Sequence, residues 1–197
     1  MRDIKNRRES VEPMMRFLKC VLQLWYVKLK LLKMQLDVIA LHGFYLPQGS
    51  GIFHPKNVSI GKNFGMSQYC QLYCQDPDSG SKLIIKDDVR INNNVLMIAD
   101  HGGQITIGSK TMIGPNTILR AANHKFDNVG MPIQDQGYES GIINIEDDVW
   151  IGASVTILKN VNIGRSSVIG AGSVVTRDIP PYSIAVGNPA KVIRSRK

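Results

Sequence analysis

The chain is poor in rings, in sulfur and in long apolar runs. Of 197 residues, aromatics make up 7%, and there are three cysteines and four histidines. So few rings are thin filling for a sandwich core, while 18 glycines suit a fold of many tight turns. Three cysteines cannot build a disulfide framework, and Cys70-x3-Cys74 lacks the second paired motif of a zinc site. Near the start, the longest uncharged run is Cys20 to Val27, far short of the about 20 residues of a membrane span. Lys19 interrupts the one candidate signal-type apolar core, and no small-residue cleavage site follows. These absences predict a soluble, cytoplasmic protein. What is present suffices for one domain with a short appendage: 43% of residues are hydrophobic and 20% charged. Charge is uneven. Lys and Arg outnumber Asp and Glu by 24 to 16, and residues 1–42 hold nine of the bases and four of the acids.

Residues 12–37 read as a helix. Glu12, Arg16, Lys19, Gln23, Tyr26, Lys30, Lys33 and Asp37 recur at spacings of three or four and share one narrow polar stripe. Met, Phe, Leu, Val and Trp25 occupy most of the remaining surface, broken by Lys28 and Gln35. Such a helix can pack against its own domain or a neighbouring subunit. It can also lie peripherally on an anionic membrane, at the inner face for a cytoplasmic protein. Nucleic acid is not expected as a partner, because no binding motif and no aromatic-basic interleaving accompany the charge. The leader is assigned to residues 1–46 and the main domain to 47–197.

From His54 onward a period of six takes over. Ile145, Ile151, Ile157, Ile163, Ile169 and Val175 follow one another without a slip, and small residues such as Val149, Val155, Val161, Ser167 and Ser173 come four later. Ile107, Ile113 and Leu119, then Ile85, Ile91 and Met97, then His54, Ile60, Met66 and Leu72 carry the same period. Six is no helix period and persists too long for a meander. It predicts a parallel β-helix, each hexad one short strand and one turn. The apolar residue then points inward and the small residue fits the corner. Gly next to the apolar position is expected to supply backbone conformations that a β-carbon penalises. A narrow column of Ile and Val would also account for the scarcity of rings. The register is lost between Leu119 and Ile145, predicting a projecting loop over 120–144, with a smaller slip near Asp100 to Gly103. Long loops on rigid scaffolds commonly carry function.

The hexads, Ala121-Ala122-Asn123-His124, Val149-Trp150-Ile151-Gly152 and the tail from Gly170 through Gly187-Asn188-Pro189-Ala190-Lys191-Val192-Ile193-Arg194 resemble the hexapeptide-repeat acyltransferases over residues 54–195. Among them the maltose, galactoside and polysaccharide O-acetyltransferases look most similar. The resemblance implies a left-handed parallel β-helix, a homotrimer with its active site between two subunits, acetyl-CoA as co-substrate without a metal, and a saccharide acceptor. Left-handedness is not readable from the period, and it runs against the usual right-handed crossover.

Moving acetyl from a thioester to a hydroxyl needs a base, and imidazole is suited because much of it is neutral at pH 7. Of His42, His54, His101 and His124, only His124 sits in the long excursion, in the family's small-small-Asn-His context. His54 reads as structural, and His101 as a candidate substrate contact. Backbone N–H groups near Gly152 and Ala153 are implied as donors to the thioester oxygen. Ala153 stands where many relatives have Ser. By resemblance Trp150 faces outward and lines the acetyl and pantetheine passage; trimer packing is its other reading. Asn94, counted back from His124 without a gap, matches the family's active-site Asn, while an asparagine ladder on the β-helix surface is its alternative. Tyr138 and Glu139 occupy the loop segment that shapes acceptor choice in relatives, and Asp100, Asp127 and Glu139 are carboxylates suited to sugar hydroxyls. Gly114, Ala153, Ala171, Thr176 and Arg177 are implied along the CoA path, with Lys191 and Arg194 near its phosphates; an ordinary solvated tail is the alternative for the bases. Lys191 replaces the Arg of some relatives and binds phosphate as a point charge. Competing functions are N-acetylation of a nucleotide-linked amino sugar, serine or antibiotic acetylation, and a scaffold without chemistry. A metal-dependent hydratase of the γ-carbonic-anhydrase type is disfavoured, since no His-x4-His occurs.

Overall fold

A computed structural model describes residues 2–75 and 77–197, with side chains described for 15–75 and 78–197. A single helix, Arg2–His42, comes first. It contains the expected 12–37 span and runs past it at both ends; Glu12, the first member of the polar stripe, lies outside the described side chains. The helix touches the rest of the molecule through its last turns. Val38 is fully buried and belongs to the main core, with Phe44 and Leu46 packed against the same core. Phe44 meets Phe64 edge to face at 5.7 Å between ring centroids. The end of the leader thus caps the first coil, whose apolar end would otherwise face water.

From Gly51 the chain winds as a three-sided parallel β-solenoid. The first face stacks Gly51–Phe53, Gln71–Cys74, Leu96–Ala99, Ile118–Arg120, Thr156–Ile157 and Val174–Val175. The second stacks Val58–Ile60, Lys82–Ile85, Gln104–Ile107, Ile142–Ile145 and Val161–Ile163, and a bridge from Ile163 to Ile179 extends it. The third stacks Gly65–Met66, Arg90–Ile91, Met112–Ile113, Trp150–Ile151, Val168–Ile169 and Ser183–Val186. Lys191–Ser195 closes the last coil by running antiparallel to Ser183–Val186.

Pairing is in register from coil to coil. Met97 lies against Leu72 and Leu119, and Ile151 against Ile113 and Ile169. The expected inward positions are therefore columns of stacked aliphatics: Leu72, Met97, Leu119, Ile107, Ile145, Ile151 and Ile157 are fully buried, joined by Ile105 and Ile143, which the period of six did not mark. At about 1.5–3 kcal/mol per buried Ile or Leu, these columns are the main source of cohesion. No aromatic ring is among the buried core residues described. The small residues four later, including Val89, Val95, Thr111, Thr117, Val149, Val155, Ser167 and Ser173, are buried at the corners.

Two expectations need correction. His54 does not occupy an inward position: it is exposed, in the left-handed region (φ 53), while Ile52 fills the core. The first coil is thus out of step with the period by an insertion after Phe53. Second, the glycine beside the inward residue is not there for its dihedral freedom. Gly108 and Gly152 do not have positive φ. A β-carbon on Gly108 would lie 2.3 Å from the Glu146 carbonyl carbon in the next coil, and one on Gly152 would lie 2.7 Å from the Ala171 nitrogen. The glycine is required by the close approach of stacked backbones. Positive φ falls two residues later, at Asn63, Asp88, Asn94, Asn116, Asp148, Asn160 and Gly172 among others. Asn, Asp and Gly dominate there because they tolerate the left-handed region best. The backbone N–H at this position turns onto the neighbouring coil, as Asp88 does onto the Lys62 carbonyl (2.9 Å) and Asn116 onto that of Asn93 (3.0 Å).

Gly108→Val should therefore lower stability by about 2 kcal/mol, within the range for overpacked cores, read as a fall in the urea midpoint; an unchanged midpoint would remove the close-approach argument. Cys70 and Cys74 are fully buried and burial pushes both thiols up, Cys74 to about 12, while Cys20 is exposed. A chromogenic disulfide reagent should titrate one thiol per native chain and three only after denaturation.

Candidate active site

The register breaks share one edge of the prism, between the first and second faces. At that corner the second coil inserts Gln75 and the described residues 77–81, the third 100–103 and the fourth 121–141, whereas the fifth turns tightly from Ile157 to Val161. The insertions brace one another. The His101 backbone N–H donates to Gln75 Oε1, and that of Gly102 to Ser81 Oγ at 3.1 Å. The large excursion is organised as a β-ribbon: Ala122–His124 pairs antiparallel with Tyr138–Ser140, His124 directly opposite Tyr138. Its base is tied by the Gly141 N–H donating to the Ala121 carbonyl at 2.8 Å.

His124 is exposed near the base of this ribbon. Its ring lies 4.2 Å from that of Tyr138, tilted by 36°. On the other side Tyr138 stacks face to face with His101, 3.4 Å between centroids and 10° between planes. Three rings from two stacked insertions thus form one pile. Behind it Asp100 is 8% exposed. Its Oδ2 is 3.1 Å from Arg120 Nη1 and 3.8 Å from His101 Nε2, and Arg120 Nε also donates to the Ala122 carbonyl at the ribbon's start. Asp100 Oδ1 is buried without a hydrogen-bond partner. Asp100 therefore sits beside the His124 ribbon, a placement that the small slip in the sequence could signal only as a break. Arg120 had no sequence signal: it is a single base at the end of a hexad strand.

Alternation along the ribbon turns Glu139 to the opposite side from Tyr138 and His124. There Glu139 Oε2 meets Lys159 Nζ of the fifth coil at 2.9 Å, and Lys159 is 14% exposed. This contact ties the ribbon down. Asp127 is exposed further out in the loop.

Asn94 lies elsewhere. It occupies a left-handed turn (φ 56) on the edge between the third and first faces, donating from Nδ2 to Asn116 Oδ1 one coil on at 2.9 Å. That is the ladder contact of its alternative reading. Gly114, Ala153 and Ala171 share this second edge on successive coils, with glycine or a methyl group keeping it low. Trp150, 53% exposed, projects from the third face. It lines a depression of about 440 Å³ with Gly114, Arg90, Asn92 and Ser67. Arg90 is a cation that sequence reasoning passed over; its guanidinium is held by the Asn63 carbonyl and by Asn63 Oδ1. Lys191 and Arg194 are exposed on the terminal strand of the third face. Thr176 and Arg177 turn out at the corner that also carries the His124 ribbon, two coils further on. Within one chain, then, His124, Asp100, Tyr138, Thr176 and Arg177 share one edge, and Asn94, Gly114, Ala153 and Ala171 share another, next to Trp150. The two groups do not meet. Among the described residues no cluster of three or more His, Cys, Asp or Glu is placed to hold a metal ion.

The profile described as bacterial transferase hexapeptide (six repeats) matches residues 143–177. A 91-residue segment covering 46% of this chain is 54% identical to an inferred acetyltransferase of Schizosaccharomyces pombe, covering 42% of that protein. The chain spans about half the length of the curated relatives it matches. Among solved structures, a hexapeptide-repeat-containing acetyltransferase from Vibrio cholerae is 35% identical, with 73% of this chain and 77% of that one covered at a TM-score of 0.63; the same protein has been solved with acetyl coenzyme A. An N-acyltransferase from Bacillus cereus, in complex with dTDP and 3-hydroxybutyryl-CoA, is 27% identical, with 76% and 78% covered at a TM-score of 0.66.

The Lys159–Glu139 tether is testable by Lys159→Ala. An ion pair with one partner largely exposed contributes at most about 1 kcal/mol, so Tm should fall by no more than about 3 °C. Proteolytic cleavage between residues 125 and 137 should accelerate; an unchanged cleavage rate would show that the pair does not hold the ribbon.

Proposed function

Because the chain belongs to the hexapeptide-repeat acetyltransferase family, we propose that it moves acetyl from acetyl-CoA to a hydroxyl of a saccharide, with His124 as general base. The observation that carries this reading is the placement of His124. It is an exposed imidazole on a braced ribbon, stacked on Tyr138, on the edge where every large insertion of the solenoid gathers. In the proposed reaction His124 takes the proton of the acceptor hydroxyl as its oxygen bonds to the acetyl carbon. The carbon–sulfur bond then breaks, and the imidazolium returns a proton to the departing thiolate. The backbone N–H of Ala153 is the proposed donor to the thioester oxygen, that of Gly152 being held by the Ile169 carbonyl at 2.8 Å. Ala153 leaves that donor in place and removes any hydroxyl contact.

The reading requires a second copy of the chain. His124 and the Asn94–Trp150 edge lie on different corners of one prism, and a homotrimer, in which the corner of one chain faces the flank of the next, would join them. Acetyl-CoA would then lie between copies: Trp150, Gly114, Ala153 and Ala171 along its chain, Thr176 and Arg177 from the His124 edge, and Lys191 and Arg194 at the phosphates. The exposure of these bases and the low profile of Gly114, Ala153 and Ala171 support that path. Asn94, Asp100, Tyr138 and Glu139 are proposed to contact the acceptor. The Glu139–Lys159 pair and the Asn94–Asn116 bond would then have to open or be shared. Residues 1–46 and 47–197 are proposed as leader and catalytic domain, working in the cytoplasm where acetyl-CoA is at hand.

A second reading, N-acylation of a nucleotide-linked amino sugar, is favoured by one observation, the B. cereus N-acyltransferase solved with dTDP. The two differ in acceptor and share the donor. Calorimetric titration with acetyl-CoA should show one saturable site per chain. With hydroxyl acceptors, His124→Ala should lower transfer by about 10²–10⁴-fold while acetyl-CoA binding and assembly persist. Undiminished transfer by that variant would remove His124 from the mechanism, and preference for an amino sugar over its hydroxyl counterpart would select the second reading.

A further inference from the structure

The proposed chemistry makes no use of the helix. From Met15 to Lys33 no side chain is buried; Phe17, Leu22, Trp25 and Leu29 are 67%, 68%, 63% and 59% exposed. Contact with the solenoid is concentrated at the helix's C-terminal end, where Val38 enters the core. A surface of this size needs a cover. Its charge says which. Between Glu12 and Asp37 the helix carries Arg16, Lys19, Lys28, Lys30 and Lys33 and no acid. All but Lys28 lie on the polar stripe, with Lys30 over the Tyr26 ring at 4.8 Å. The apolar arc opposite spans well over half the circumference, interrupted by Gln35 and by Lys28, whose long stem can carry its charge out to the headgroups. No helix among the described residues is long and apolar enough to cross a membrane.

We propose that residues 15–36 dock this helix lengthwise on an anionic lipid surface. Apolar side chains would enter the acyl boundary while the lysines of the stripe stay at the level of the headgroups. Other copies of the chain are a poorer cover. Leu18, Leu22, Trp25, Leu29, Leu32 and Leu36 do form a four-three seam, but Lys19, Lys28 and Lys33 flank it with no acid to pair. In a parallel bundle Lys28 would face Lys33 of the next helix, like charge against like. Such a seam would also leave Phe17, Leu24 and Leu31 uncovered. The apolar surface continues from the helix onto the solenoid. Val27, Leu31 and Met34 form a groove of about 390 Å³ with Ile52 and Phe53, with Lys30 and Lys33 also lining it. The solenoid's first coil would thus lie beside the bilayer. This proposal is independent of the acetyltransferase reading, because its test measures binding alone.

The test is flotation of the full chain with vesicles of phosphatidylcholine, alone or with about 30 mol% phosphatidylglycerol. Partition should be at least about tenfold higher with the anionic lipid and should fall in about 0.5 M salt. Trp25 emission should shift to shorter wavelength on binding, a component lost in Trp25→Phe. Combined Lys19→Glu, Lys30→Glu and Lys33→Glu should reduce binding about tenfold or more, as should combined Leu22→Ser and Leu29→Ser, with helix content and solenoid unfolding unchanged. Failure to float, or equal flotation with neutral vesicles, would overturn the proposal. So would Trp25 emission already shielded without lipid and released on dilution, since that would make another copy of the chain the cover.

Discussion

The structure depends on how closely one coil passes over the next. Stacked strands sit about 4.8 Å apart, and the prism repeats that contact along three faces. At the corners the backbone must turn while holding this distance. Two positions of each hexad answer to it. A glycine such as Gly108 or Gly152 follows the inward residue where a β-carbon would strike the neighbouring backbone. Two residues on, a left-handed turn aims an N–H at the adjacent coil. The aliphatic columns supply most of the cohesion, but these turns decide that the columns can form. The same constraint explains the absence of rings from the core: three faces closing on one axis leave room for Ile and Val.

A scaffold so regular confines irregularity to its corners, and here one corner takes the largest insertions. Stacking then places insertions 20 or more residues apart in sequence directly against each other. The His101–Tyr138–His124 pile, the Asp100–Arg120 pair behind it and the Glu139–Lys159 tether on the ribbon's other side all arise this way. Each insertion is held by its neighbours rather than by its own length, so a long loop can still present an imidazole in a defined direction. The opposite kind of surface, a smooth flank such as the proposed extended ligand would need, is the edge of Gly114, Ala153 and Ala171. The two kinds of surface are on different corners of one chain, and that separation is the physical argument for a site made by more than one copy.

The N-terminal helix is unlike the solenoid in every respect. Its apolar residues lie outside, its charge is of one sign over most of the described length, and only its last turns belong to the core. Capping and outward display are combined in one element. The end near Val38, with Phe44 and Leu46, closes the prism, and the rest extends a surface away from it.

Much of this was legible in the residues. A period of six at Ile145 through Val175, with small residues four later, points to a parallel β-helix because one short strand and one turn per hexad bring an apolar residue inward on each successive face. The break after Leu119 marks the excursion, and His124 stands out within it. Handedness could not be read from the period and entered as an implication of resemblance. The purpose of the hexad glycines was misread, since sequence shows a residue's freedom but not what approaches it. His54 was placed inward because an insertion of a few residues in the first coil is invisible until Ile52 is seen to fill the core. Asp100 and His101 were visible only as a slip; that they stand beside His124, that Arg120 joins them and that Glu139 turns away to Lys159 follows from which corner each insertion occupies. The repeat, the core columns and the catalytic candidate are legible in the residues alone, because those are local patterns. Tertiary structure alone decided which distant residues share an edge and which edge stands apart, because stacking brings together positions a full coil or more apart along the chain.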